Sequence, residues 1–172
     1  MSNIAEIDEI RNAVSLMSVD FYHASSALGW IDENTELLRG IPVTKMSKSP
    51  EHEYLVDLFL EAIRSVLPAN CFVVKERPIT TTDSEPEPDL MAIEGERSDF
   101  RESHPATAKL IIEVAINTEK RDAEKATIYA EANVEEYWLV LPFKKQIKVH
   151  RKSNGSEYES IETVSDGTLT SE

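Results

Sequence analysis

AKLIIEVAI, residues 108–116, is an almost unbroken apolar run with one glutamate, Glu113, inside it. A strand wetted on one side alternates apolar and polar residues, whereas a strand covered on both sides does not. The run therefore predicts a central strand of a sheet with other layers on both faces. It also sets a carboxylate in the interior of that strand. Burying an unpaired carboxylate costs on the order of several kcal/mol, so Glu113 requires a metal ion or a cationic partner.

The flanking segments supply the rest of a sheet. Upstream, CFVVKERPI (71–79) and PDLMAIE (88–94) read as strands on either side of the turn-rich TTTDSEPE (80–87). Downstream, EKRDAEKATIYAEANV (119–134) reads as an alanine-rich amphipathic helix. EYWLVLP (136–142) and QIKVHRK (146–152) then predict a hairpin turning at Phe143–Lys145. SKSPEHEYLVDLFLEAIRSVLPAN (47–70) carries the clearest helix signal. Ser49 is placed to cap it and Pro50 to open it, and Leu55, Phe59, Ala62, Ile63 and Val66 form its apolar stripe. TELLRGIPVTKM (35–46) predicts a hairpin with its turn at Arg39-Gly40. Val14, Met17, Phe21, Ala24 and Leu28 predict a further helix from about residue 13 to residue 28, ended by Gly29 and Trp30. The strand, helix, strand order indicates an α/β class with a mixed central sheet flanked by helices.

The length of 172 residues and a hydrophobic content of 41% suit one domain over residues 1–172. Its core is expected at about 47–152, with an N-terminal helix and hairpin at 13–46 and a polar tail at 153–172 that carries an edge strand at 158–164. No apolar run approaches the ~18 residues of a membrane span. MSNIAEIDEIRNAV (1–14) lacks the basic start and apolar stretch of a secretory signal. The single cysteine, Cys71, excludes an intramolecular disulfide and a multi-cysteine zinc site, and it reads as an inert buried thiol. These features point to the cytoplasm and away from a membrane. The net charge of -14 opposes binding to a polyanion unless basic clusters or divalent cations offset it locally. The cationic stretches are short: Lys144, Lys145, Lys148, Arg151 and Lys152, and before them Lys120, Arg121 and Lys125.

Asp89 opens a second strand behind Pro88. Two neighbouring strands would bring it to Glu113, and paired carboxylates suit hard ions such as Mg²⁺ or Mn²⁺, with a backbone carbonyl and water completing the shell. Lys125, on the helix after the Glu113 strand, is the candidate cation, able to steady a hydroxide or a phosphate charge. Each residue also has a plainer reading. Asp89 could simply begin a strand, Glu113 could pair with Lys109 or Lys148, and Lys125 could pair with Asp122 on a solvated face. His52, at a helix start in phase with Val56, Phe59 and Ile63, reads equally as a lining base or a satisfied core histidine. Tyr129, one turn beyond Lys125, and Asp122 are supporting candidates. Trp138 reads as core. Glu36 is within reach of the metal position from its hairpin but reads better as a surface strand residue.

Pro88-Asp89-Leu90, then IIEVAI around Glu113, then RDAEKATIYAEANVEEYWLV (121–140) together resemble the Uma family within the PD-(D/E)xK restriction-endonuclease-like superfamily. The resemblance runs from about residue 19 to residue 151 and takes in ELLRG (36–40) and the SPEH helix start (49–52). It implies a core of helix, three strands, helix and strand, and Mg²⁺-dependent hydrolysis of phosphodiester bonds in DNA. Asp89 and Glu113 match the metal-binding acids and Lys125 the lysine that this family carries on the helix. Ala115 stands where the wider superfamily places lysine. The interval from Glu113 to Lys125 is one residue shorter than the pattern, Asn133 and Glu135 replace its glycine and proline, and an apolar closing segment after residue 169 is missing. The resemblance also implies pairing into a homodimer to cut two strands. The rival expectation is a catalytically inactive nuclease-fold domain that binds a protein or nucleic acid.

Overall fold

The computed structural model describes residues 15–165. Helix α1 (Val19–Ala27) leads into a hairpin of β1 (Thr35–Leu38) and β2 (Ile41–Thr44), followed by α2 (Pro50–Val66). Strands β3 (Cys71–Lys75), β4 (Leu90–Glu94) and β5 (Leu110–Val114) come next, then α3 (Glu119–Glu131), β6 (Glu136–Leu141), β7 (Gln146–Ser153) and β8 (Tyr158–Val164). Strands β3 to β8 form one six-stranded sheet in sequence order. Every neighbouring pair is antiparallel except β5 and β6. A parallel pair needs a crossover, and α3 supplies it.

All five residues of β5 and all six of β6 are buried, as expected for strands covered on both sides. Ile111, Tyr129, Tyr137 and Leu139 pack on the α3 face. Val56, Ile63, Ile112, Trp138 and Val149 pack on the α2 face. The Ser49 hydroxyl accepts from the His52 N–H at 3.2 Å and Pro50 is the first helical residue, so α2 starts where its capping signals place it. In the first hairpin Arg39 (φ 52°) and Gly40 (φ 72°) both adopt left-handed conformations, the pattern of a type I′ turn. The Arg39 guanidinium reaches Glu131 at 2.8 Å, which docks the hairpin against the end of α3.

Several sequence expectations change. Helix α1 starts at Val19 with Ser18 as its cap, and Ala13 and Val14 fall outside the described residues. Phe21 and Leu28 of its expected stripe are exposed, while Tyr22 and Ser25 are buried. Polar contacts hold this helix: the Tyr22 hydroxyl donates to the Thr35 carbonyl, and His23 bonds Glu85. In α2 two positions of the expected stripe, Ala62 and Val66, are exposed. Cys71 is only half-buried, since it begins the edge strand β3. The tail does carry its strand, β8, and residues 166–172 lie outside the described part. No described helix is long and apolar enough to cross a membrane.

Candidate active site

Strands β4 and β5 pair with Leu90 opposite Ile112. One residue further on each strand stand Asp89 and Glu113. Register alone therefore places the two acids side by side at the end of the sheet. Backbone groups then fix their side chains. The Val114 N–H donates to Asp89 Oδ2 at 2.8 Å, and the Asp89 N–H points at Glu113 Oε2 at 3.4 Å.

The crossover helix completes the Glu113 side. Lys125 and Tyr129 are one turn apart on α3 and face the same way. Lys125 Nζ lies 3.0 Å from Glu113 Oε1, and the Tyr129 hydroxyl donates to the same oxygen at 2.8 Å. Lys125 also meets Glu36 of β1 at 2.9 Å and Asp122 at 3.9 Å. Asp122 in turn accepts from the Thr118 hydroxyl. On the Asp89 side, His52 Nε2 donates to Oδ2 at 3.0 Å, and Lys48 Nζ stands 3.1 Å from Oδ1. All of these residues but Tyr129 line a cavity of about 100 Å³.

The electrostatics follow from burial. Glu36, Asp89, Glu113 and Asp122 are all buried, and among the described pocket residues Lys125 is the only buried ammonium. Desolvation pushes Glu113 up to about 8; Lys125 opposes the rise, while Asp89, Asp122 and Glu36 add to it. Asp122 is likewise raised by desolvation. Asp89 moves down instead, because the His52 and Val114 hydrogen bonds and the Lys48 charge outweigh its own desolvation. For Lys125 burial pulls down, but Glu113, Glu36 and Asp122 overcome it, and the ammonium form is held.

The structure thus gathers Asp89, Glu113, Lys125, His52 and Asp122 around one cavity, with Tyr129 behind it on Glu113. The surface reading of Lys125 fails, as its side chain is 5% exposed. Lys109 and Lys148 are occupied away from Glu113, the first by Glu94 and Glu135 and the second by Glu119. Glu36 is not a surface residue; the hairpin folds over α3 and buries it on Lys125. Lys48 was not singled out in the sequence, and its only signal was its place beside the Ser49 cap. Trp138 is core, its indole N–H donating to Glu136. The cationic stretch near the end is largely spent internally: Lys144 pairs with Glu119, and Arg151 with Glu136 and Glu162.

Among the described residues no three His, Cys, Asp or Glu side chains are arranged to enclose a metal ion. A small hard cation does not need such a cage. Mg²⁺ is commonly held by one or two carboxylates with water filling the remaining positions. Asp89 and Glu113 are the two adjacent carboxylates that could supply such ligands.

The sequence model of the Uma2 family, described as "Putative restriction endonuclease", matches residues 28–172. No curated protein matches the chain. Among solved structures the chain is similar to the crystal structure of a putative nuclease belonging to DUF820 from Anabaena variabilis ATCC 29413. The TM-score is 0.73 at 15% sequence identity, over 87% of this chain and 85% of that one. At that identity the likeness is one of fold, and it agrees with the restriction-endonuclease-like architecture expected from the sequence.

Proposed function

The chain belongs to the Uma2 family, and from that premise we propose that its buried acidic pocket hydrolyses phosphodiester bonds in DNA with Mg²⁺ or Mn²⁺ held by Asp89 and Glu113. The observation that carries this reading is the burial of Glu36, Glu113 and Asp122 around the single ammonium of Lys125, with the buried Asp89 beside Glu113. A structural ion pair needs one acid for each base, so the surplus points to a cation.

When bound, the ion would polarise the phosphoryl oxygen and lower the pKa of a coordinated water. The chain's own residues do the rest. His52 and the Val114 N–H hold Asp89 ionised and oriented. Tyr129 and Lys125 donate to Glu113 Oε1, while Oε2 accepts the long Asp89 N–H contact. Lys125, kept protonated, acts as a fixed positive charge near the phosphate and is not the base. The absence of lysine at Ala115 is offset because Lys125 delivers its ammonium to the same carboxylate from the helix.

The second reading, an inactive nuclease-fold binding domain, draws on the fact that both Asp89 oxygens already have partners. Calorimetric titration of Mg²⁺ or Mn²⁺ into wild type and Glu113→Gln tests the metal site. Plasmid nicking with Asp89→Ala and Lys125→Ala controls tests the chemistry. Nicking that disappears in both variants supports hydrolysis. Metal binding without cleavage of any DNA or RNA rejects it in favour of the binding domain.

A further inference from the structure

Asp89 has one committed oxygen and one that can be released. Oδ2 accepts from the Val114 N–H at 2.8 Å and from His52 at 3.0 Å, both on structured backbone elements. Oδ1 faces Lys48 at 3.1 Å. Lys48 sits in the connection between β2 and α2, and its side chain is 29% exposed, against 5% for Lys125. Lys125 is wedged into the pocket floor, while Lys48 stands at the mouth. Its second partner, Glu76, lies at 3.1 Å and is itself partly exposed.

A divalent ion ligated by Asp89 would have to use Oδ1, since Oδ2 is saturated. It would then meet the Lys48 ammonium, and two cations cannot hold the same oxygen without strong repulsion. Resting on the nuclease reading above, we propose that Lys48 is a displaceable counter-ion: it neutralises Asp89 in the metal-free pocket, yields Oδ1 to the ion, and then pairs with the substrate phosphate while Glu76 keeps it at the mouth. Arg121 lines the same cavity. Its guanidinium donates to the Thr44 carbonyl at 3.0 Å, and its Nε is buried without a hydrogen-bond partner among the described residues. Lys45, by contrast, is held by Glu87 at 3.0 Å. The mouth therefore carries cations above an acidic floor, which suits an anionic strand over a metal ion.

The test uses the full chain with Lys48→Met and Lys48→Arg, and Glu113→Gln in parallel. Mn²⁺ affinity is measured by calorimetry without nucleic acid. Binding of a short DNA duplex is measured in Ca²⁺ across a salt series, with melting curves to confirm folding. Lys48→Met is expected to bind Mn²⁺ about tenfold more tightly, because the ammonium that competes for Asp89 Oδ1 is gone. It is expected to bind DNA about tenfold more weakly, with the salt dependence reduced by one phosphate contact. Lys48→Arg restores DNA binding. Unchanged or weaker Mn²⁺ binding in a folded Lys48→Met overturns the proposal, as does unchanged DNA affinity and salt slope. Those results leave the nuclease reading standing if Glu113→Gln alone abolishes Mn²⁺ binding. A wild type that takes up no Mn²⁺ overturns both.

Discussion

Lys125 and Glu113 belong to a helix and to the strand before it, yet their charged atoms lie 3.0 Å apart with both side chains almost closed to solvent. Glu36 meets the same ammonium from a third element at 2.9 Å. With Asp122 at 3.9 Å, one cation serves three buried acids, and its removal strands them.

Lys125→Met is expected to destabilise the metal-free protein by about 3–5 kcal/mol, the usual cost of removing one partner from a buried pair. Urea denaturation at pH 7 in chelator measures it. A saturating divalent ion should recover part of the loss by supplying positive charge to Glu113. A variant as stable as wild type would contradict the pairing.

Glu113→Gln should change how stability depends on pH. Glu113 is raised from 4.5 to about 8 in the folded protein. Its contribution is therefore fully present below pH 4.5, is drained as the pH climbs towards about 8, and is gone above that. The slope is at most about 1.4 kcal/mol per pH unit. Glutamine does not titrate, so the variant should gain on wild type between these limits in chelator. Denaturation at pH 5, 7 and 9 checks this, and a constant difference would refute it.

His150 titrates in the opposite sense. Burial lowers its pKa from 6.5, and its ring stacks on Tyr137 at 5.1 Å and tilts against Tyr158 at 5.8 Å. The neutral ring contributes stability above pH 6.5, and that contribution is lost as the pH falls through the lowered folded value. His150→Phe should flatten the stability profile between pH 7 and pH 5, as read by thermal melts across that range. An unchanged slope would show that His150 does not titrate in this window.

Gly40→Ala should destabilise the fold and weaken the pocket together. The position has φ +72°, and a Cβ there would lie 2.8 Å from Leu16 Cβ and 3.0 Å from the Met17 carbonyl. The backbone conformation alone costs alanine roughly 1–2 kcal/mol, and the contact adds to it. Because the turn positions β1, and β1 carries Glu36, the variant should also lose divalent-ion affinity. Denaturation and metal titration on the same sample test the link. Normal stability with normal metal binding would break it.

Much of the frame was legible because it depends on neighbours in the chain. Ser49 and Pro50 start a helix through contacts within one turn. Arg39-Gly40 turns a hairpin through its own backbone conformation. The apolar run around Glu113 declares a doubly covered strand. The failures have the same explanation in reverse. Phe21 and Leu28 had helical spacing, but spacing does not say whether a protein surface lies opposite, and here water does. Glu36 looked like a surface residue because nothing in its own strand shows that the hairpin folds over Lys125.

By itself the sequence determined where strands and helices form and that one acid had to be buried among apolar neighbours, since periodicity and burial cost act over short stretches. Only the tertiary structure decided the company that acid keeps. Sheet register set Asp89 beside Glu113, the α3 crossover swung Lys125 onto it, and the hairpin and the loop before α2 delivered Glu36 and Lys48. Those meetings depend on how separate elements pack, and an ion pair forms only between groups that packing brings within about 4 Å, which spacing along the chain does not specify.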